Sequence, residues 1–494
     1  MTSVRYFLLL LLALSLGGEL QAQFDQGDMA ASLEEARSYT KYATYGQYLE
    51  IMNGFAAAHP SICSLDTLGR SAGGRLLLAL KISDNVKQNE AEPRFLYTAT
   101  MHGNELVGYP LMLRLADLLL TSYGSDPRLS DLVNKLEIWI NPLANPDGAY
   151  YGGDETVAGA KRENYSMDDL NREFPDISRG EADDETGRPR ENQYMMRFLR
   201  EHRFNLSANF HTGYEVVNYP WDWTYDLHVD DAWYRLISRE YADEAHSADP
   251  RYMMEENEGI VNGAAWYPAL GTRQDYVNYY LQGREVTIEL SNEKLTDSDS
   301  LESMWRKNER SLMYYMTQAT YGIHGKVSAA EDGTPLEARV SIPGYDQEYS
   351  VVHSTAVHGD FYRFLKAGYY RLVISAEGYL NDTIPNVVVE DYKTTFLDVK
   401  LHSPKVGMEI LTRGQGFRIW PNPARDELYI GLTSEPHGMV TVELLSIRGQ
   451  LIKKEELNYT GNTLSTGLDQ LEAGYYYLRL STGDRCRVLS FVKY

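Results

Sequence analysis

Only two of the 494 residues are cysteine, Cys63 and Cys486, and they stand toward opposite ends of the chain. That scarcity excludes a disulfide scaffold, and neither has metal-ligand spacing. Both read as ordinary residues of β regions. Basic residues are outnumbered too, with 47 Lys and Arg against 70 Asp and Glu, a formal net charge of −23. An acidic surface argues against nucleic-acid or anionic-membrane binding. It suits a basic peptide partner, though solubility alone is the more common reason for such a charge. Long apolar runs are missing after residue 22, so no transmembrane segment is expected there. The first 22 residues differ. Arg5 precedes an apolar stretch from Tyr6 to Leu16, and Leu20-Gln21-Ala22 ends on a small residue. This is the pattern of a secretory signal peptide, with cleavage expected after Ala22.

The length allows two to four domains. Tyrosine is abundant, at 38 residues. Residues 24–320 read as one α/β unit. Strands are expected at 76–82 (LLLALKI), 94–100, 136–140, 205–210 and 284–290, with helices over 105–120 and 303–317. Strands alternating with helical stretches predict a mixed central sheet flanked by helices. Residues 322–402 change to short strands and turn residues, as expected of a small β-sandwich. Residues 402–416 read as a linker, and 417–494 as a second all-β unit.

The chemistry concentrates at His102 and Glu105, in Thr100-Met101-His102-Gly103-Asn104-Glu105, at an expected strand end and helix start. His211 follows Glu105 by 106 residues. Imidazole and carboxylate are ligands zinc accepts. Three protein ligands leave a fourth position for water, which marks a catalytic rather than a structural site. A His-x-x-Glu pair alone says little, since about one arises by chance in such a chain. Strand ends, however, are where open α/β sheets bind ligands. His59, His202, His228 and His246 lack comparable context and read as surface or packing residues.

Further blocks follow in order: Asn145-Pro146-Asp147-Gly148, Asp169-Leu170-Asn171-Arg172, Phe174-Pro175-Asp176, Asn262-Gly263-Ala264 with Trp266-Tyr267, Gln274-Asp275-Tyr276 and Thr287-Ile288-Glu289-Leu290-Ser291. With the His-Glu-His set, they resemble the zinc metallocarboxypeptidases, in particular the subfamily of carboxypeptidases D, E and N. The resemblance spans residues from about 38 to 320. It implies a carboxypeptidase-like fold and one Zn2+ held by His102, Glu105 and His211. It makes Glu289 the general base and Arg162 the cation that polarises the carbonyl. A donor of that kind is worth roughly 3–4 kcal/mol in a transition state. Asp169 would orient the first zinc histidine. Arg172 offers a planar fork for a terminal carboxylate, with Asn171 and Tyr267 beside it. Asp222 and Gln274 match the pocket for a basic terminal side chain, which implies release of C-terminal Lys or Arg.

Arg273 departs from the subfamily pattern. Pointing inward, it would oppose a basic side chain and favour aliphatic or aromatic termini. Cell-wall peptides are another substrate class that stays open. So is a non-enzymatic role as a surface binding or adhesion module.

Residues 322–402 resemble the transthyretin-like sandwich of the same subfamily, chiefly at Gly378-Tyr379-Leu380. Its implied role is packing and folding support. Residues 417–494 resemble the C-terminal sorting domain of bacterial type IX secretion. The matching blocks are Pro421-Asn422-Pro423, Ser446-Ile447-Arg448-Gly449-Gln450, Ala473-Gly474-Tyr475-Tyr476 and the final Val492-Lys493. The type IX machinery is then the implied export partner. The mature protein would be secreted, or attached to the outer cell surface after passing the periplasm.

Overall fold

The computed structural model describes residues 26–403, 417–432, 438–461, 463–482 and 485–494. The signal-peptide pattern and linker residues 404–416 lie outside them. The chain divides into two compact units that part between Leu401 and His402.

The first unit is built on an eight-stranded sheet. Its strands are β1 (Cys63–Arg70), β2 (Leu76–Ile82), β3 (Arg94–Ala99), β4 (Glu137–Asn141), β5 (Leu206–His211), β6 (Tyr214–Tyr219), β7 (Ile260–Asn262) and β8 (Arg284–Ser291). The order is β1-β2-β4-β3-β5-β8-β6-β7. The central run β4, β3, β5 and β8 is parallel, while β1/β2, β2/β4 and β6/β8 pair antiparallel. Strands β4, β5 and β8 are buried along their whole length. Central strands covered on both faces hold near-continuous apolar runs, which is why several are legible in the sequence.

Alternate residues of β3 enter two cores, because successive strand side chains point to opposite faces. Phe95 and Tyr97 join the larger core with helices Tyr45–Ala58, Gly108–Ser122, Asp231–Ala248 and Leu301–Gln318. Leu96 joins Trp139 and the Met195, Met196, Phe198 and Leu199 face of helix Arg190–His202. Each such side chain contributes about 1.5–3 kcal/mol on full burial. The sheet therefore gives the loops at its strand ends a rigid floor.

One expected boundary is corrected. The helix after β3 starts at Gly108, so Glu105 lies in a loop and not at a helix start. Thr100 takes a left-handed backbone, with φ of 60°. A Cβ on Gly103 would meet backbone carbon of Gly148 at 2.2 Å, so this loop is pressed against a neighbouring turn. Regular helix cannot begin until the chain clears that contact.

The β-sandwich pairs two sheets. One holds strands Val352–His353, Arg339–Ser341, Gly368–Ser375 and Asp382–Val389, and the other Asp360–Arg363, Gly322–Ala329 and Thr394–Leu401. Ile323, Val327, Leu372, Ile374 and Val399 fill the space between. Tyr362 and Phe364 instead enter the larger core of the α/β sheet.

The second unit has two antiparallel sheets around Leu428, Ile430, Val442, Leu444, Leu478 and Phe491. Its sequence blocks have local jobs. Asn422 accepts a bond from the Val492 N–H at 2.9 Å, tying the Pro-Asn-Pro segment to the last strand. Ser446 Oγ accepts from the N–H groups of Arg448 and Gln450 in a hairpin turn, where Gly449 has φ of 74°. Cys63 is buried and free, its thiol pushed up to about 12 by burial, and Cys486 is exposed and free. Among the described residues, no helix is long and apolar enough to cross a membrane.

Candidate active site

His102 and Glu105 come from the loop after β3, and His211 ends β5. Their ligand atoms all lie within 4.8 Å of one another, and all three residues are buried. The Nδ1 atoms of His102 and His211 are 2.9 Å apart, and Glu105 Oε2 lies 3.0 and 2.7 Å from them. The far ring nitrogens are held as well. His102 Nε2 is 3.1 Å from Asp169 Oδ1, and His211 Nε2 is 2.8 Å from the Asn209 amide. Burial, with His102 alongside, pushes His211 down to about 4, so at neutral pH its imidazole is the uncharged, metal-binding form. Two imidazoles and a carboxylate, converging and backed by a further carboxylate, are a donor set that fits zinc.

The Asn145-Pro146-Asp147-Gly148 block, to which sequence reading gives no task, is the scaffold of this loop. Asn145 Nδ2 donates to the carbonyls of Met101 and Arg162, at 3.1 and 3.3 Å. Its Oδ1 accepts from Gly148 N at 2.9 Å. Arg162 is thereby delivered beside the metal ligands. Its Nε donates to Asp169 Oδ2 at 2.9 Å, and its Nη1 lies 3.0 Å from His102 Nδ1 and 3.3 Å from Glu105 Oε1.

Strand pairing sets Glu289 opposite His211, since β5 and β8 run parallel in that register. Burial drives the Glu289 carboxyl well above the usual range. Glu105 adds to the effect, and Arg162 and Lys294 oppose it. Its Oε2 has no hydrogen-bond partner among the described residues. Thr287, two residues earlier on the same face, pairs with Asn218 of β6.

These groups line a cleft of about 190 Å³ that also takes in Asn171, Arg172, Asp222 and Tyr267. Asn171 Oδ1 accepts from Arg273 N at 2.9 Å, which leaves its amide nitrogen for the cleft. Arg172 faces Tyr267, a residue 46 % exposed whose ring packs 4.6 Å from that of Trp266. Asp222 is 5 % exposed. Its Oδ1 accepts from Asn218 and Gln274, each at 3.0 Å. Gln274 stands behind Asp222 and is not a wall of the cleft. Arg273 does not face the cleft either. It is fully buried, with Glu285 2.7 Å away and the Thr98 hydroxyl as a second partner. Its charge is neutralised beneath the site.

Sequence reading missed four residues here. Asn218 and Lys294 line the cleft. Asp275 accepts from the backbone N–H groups of Asp222 and Trp223, at 3.0 and 2.9 Å. Thr272 caps the helix that carries Gln274 and Asp275. Asp275 stood inside a quoted block, so its importance had a signal. Asn218 had none, being one amide in an apolar strand.

Comparison with known proteins agrees with this geometry. The zinc carboxypeptidase family model matches residues 48–311, and that of a secretion system C-terminal sorting domain matches residues 418–493. Carboxypeptidase SOL1 of Arabidopsis thaliana is 33% identical over 378 residues, covering 75% of this chain and 74% of that protein. Carboxypeptidase D of Homo sapiens is 38% identical over 356 residues, covering 68% of this chain and 25% of that longer protein. The crystal structure of thrombin activatable fibrinolysis inhibitor shares the fold. Its TM-score is 0.52 at 17% identity, over 60% of this chain and 79% of that one. The chain belongs to the zinc carboxypeptidase family, and it carries a sorting domain for secretion or attachment to the outer surface. It is a zinc metallocarboxypeptidase, and the His102, Glu105 and His211 triad is its candidate metal site.

Proposed function

We propose that this carboxypeptidase releases single C-terminal Lys or Arg residues from peptides and proteins. The observation that carries the reading is the set of oxygens around Asp222. Asp222 is a buried carboxylate with no cation bonded to it among the described residues. The amides of Asn218 and Gln274 spend their N–H groups on it. Their own oxygens are buried without donors among the described residues. Buried acceptors left unpaired cost free energy. A guanidinium or ammonium brings several N–H donors and no acceptor, so it suits Asp222 and the Asn218 oxygen, which both line the cleft. Gly263 keeps the space open, since a Cβ there would meet Asp222 Oδ1 at 2.0 Å. With Arg273 paired to Glu285, the expected repulsion of a basic side chain loses its source.

Placement supports the remaining roles. Arg172 and the Asn171 amide bind the terminal carboxylate, which makes the enzyme an exopeptidase. Tyr267, exposed at the rim, closes over that terminus. Zinc bound by the triad supplies Lewis acidity, polarising the carbonyl and acidifying water. Glu289 takes the proton from the attacking water with its unpaired Oε2 and passes it to the leaving amine. Arg162, braced by Asp169, offers its guanidinium to the developing oxyanion. Asp169 also fixes the His102 ring. The amino-terminal signal and the sorting domain together support export through the periplasm by the type IX machinery. The region 322–402 takes the part of a transthyretin-like support.

The test is release of Arg, Lys, Phe and Glu from matched peptides, with and without a zinc chelator. Chelator-sensitive release of Arg and Lys alone is expected. Release of Phe instead would keep the mechanism and overturn the pocket.

A further inference from the structure

The mechanism above gives no part to the β-sandwich, yet one of its side chains reaches the segment that carries Asp222. Tyr349 lies in the loop between strands Arg339–Ser341 and Val352–His353. Its ring meets Trp221 edge-on, with 5.0 Å between centroids and 89° between planes. It lies 4.9 Å from the ring of His228 and stacks on Tyr279 at 6.1 Å. Trp221 directly precedes Asp222. Tyr279 belongs to helix Arg273–Tyr280, which carries Gln274 and Asp275. One sandwich tyrosine therefore touches both supports of the carboxylate.

The contact is anchored from the sandwich side. Arg363 donates to Asp230 at 2.7 and 2.9 Å, and the Tyr345 hydroxyl donates to it at 3.0 Å. Arg284 of β8 bonds both Asp230 and the Ser350 carbonyl, at 2.8 and 2.9 Å. Ser350 is the residue after Tyr349, so the ring is set against Trp221 by a buried ionic clamp. On the pocket side, Trp221 O accepts from Ala264 N at 2.7 Å and Asp222 O from Ala269 N at 3.0 Å. Trp221 and Asp222 are consecutive residues, so a shift of the Trp221 backbone would carry Asp222 with it.

We infer that Tyr349 is a positioning residue for the pocket of the terminal side chain, so that the sandwich takes part in substrate selection. The inference rests on the Asp222 reading. Charge-assisted hydrogen bonds weaken steeply with distance and angle. Removing the ring leaves a void beside Trp221, into which the indole relaxes. Binding of a basic terminus then suffers, while the metal centre is untouched.

The experiment uses the whole protein with zinc and two peptides that differ only in a terminal Arg or Leu. Tyr349→Ala should raise KM for the Arg peptide about threefold to tenfold, with kcat held and the Leu peptide unaffected. Tyr349→Phe, which keeps the ring, should restore the wild-type KM. Thermal melting is followed alongside. Equal losses on both peptides mean a merely structural role and overturn the inference, as does no change on either. Wild-type enzyme that releases Leu as readily as Arg overturns the Asp222 reading itself, and the inference falls with it.

Discussion

Two buried aspartates eight residues apart on one segment, Asp222 and Asp230, meet opposite surroundings. Burial opposes the charge of both. At Asp230 two guanidiniums, Arg363 and Arg284, outweigh it and hold the carboxyl well below the usual range. At Asp222 burial wins and the carboxyl is raised, with the amides of Asn218 and Gln274 and the Thr272 side chain as neutral partners and Arg172 at a distance. Asp230 is closed on all sides and locks the sandwich to the α/β sheet. Asp222 opens on the cleft. A buried carboxylate that finds its cations inside the protein is a clamp, and on the proposed function the one that opens on the cleft receives its cation from the substrate.

The largest effect tests whether the open pocket serves chemistry. Glu289→Gln should lower kcat about 10³-fold with zinc content unchanged, measured by peptide release and metal analysis. Chelation should abolish release in the wild type. Next comes the clamp. Asp230→Asn takes the carboxylate from buried Arg284 and leaves buried Arg363 with Asp346 alone, and should cost about 3–5 kcal/mol, read by denaturant melting. Asp222→Asn should do the reverse. It should cut kcat/KM on Arg-ended peptides by about 2–3 kcal/mol, near 100-fold, while leaving the melting midpoint unchanged or raised. Stability loss there without a loss of selectivity would erase the distinction between the two aspartates.

The smallest effect is in pH. A carboxyl whose folded pKa is depressed stabilises fully above its unfolded value, about 4, and loses this as pH falls toward the folded pKa. The stability gap between wild type and Asp230→Asn should therefore be constant from pH 7 to about 5 and close below about 4. His228, pushed down to about 3 by burial with Asp230 opposing the shift, costs wild type and variant alike stability as pH falls below 6.5. A gap that widens in acid would mean that Asp230 is not the ionised partner of the two arginines.

Much of this molecule was readable without coordinates. Strands such as Leu76–Ile82 and Arg284–Ser291 announced themselves because central strands are apolar throughout. The helix after β3 was placed three residues early. Its apolar pattern runs on through Leu106 and Val107, while the left-handed Thr100 and the Gly103 contact that delay it leave no periodic trace. Short blocks around reacting groups were readable because chemistry limits which residues serve. Asn218, Thr272, Lys294 and Tyr349 were not, because an amide, a hydroxyl, an ammonium or a ring matters here only through what lies opposite it.

The sequence by itself determined the class of chemistry, since zinc accepts few donor types and the His-Glu-His set with its neighbouring blocks supplies them in order. It also determined the sheet, through burial, and the sorting unit, through its turns. Tertiary structure alone decided which charges are spent and which are free. Arg273 and Asp222 looked equally able to face a substrate. Only the placement of Glu285 beneath one, 12 residues along the chain, and of two amides beside the other, 4 and 52 residues away, separates an internal pair from an open site. Charge compensation acts through space over a few ångströms, and the order of residues along a chain does not record that distance.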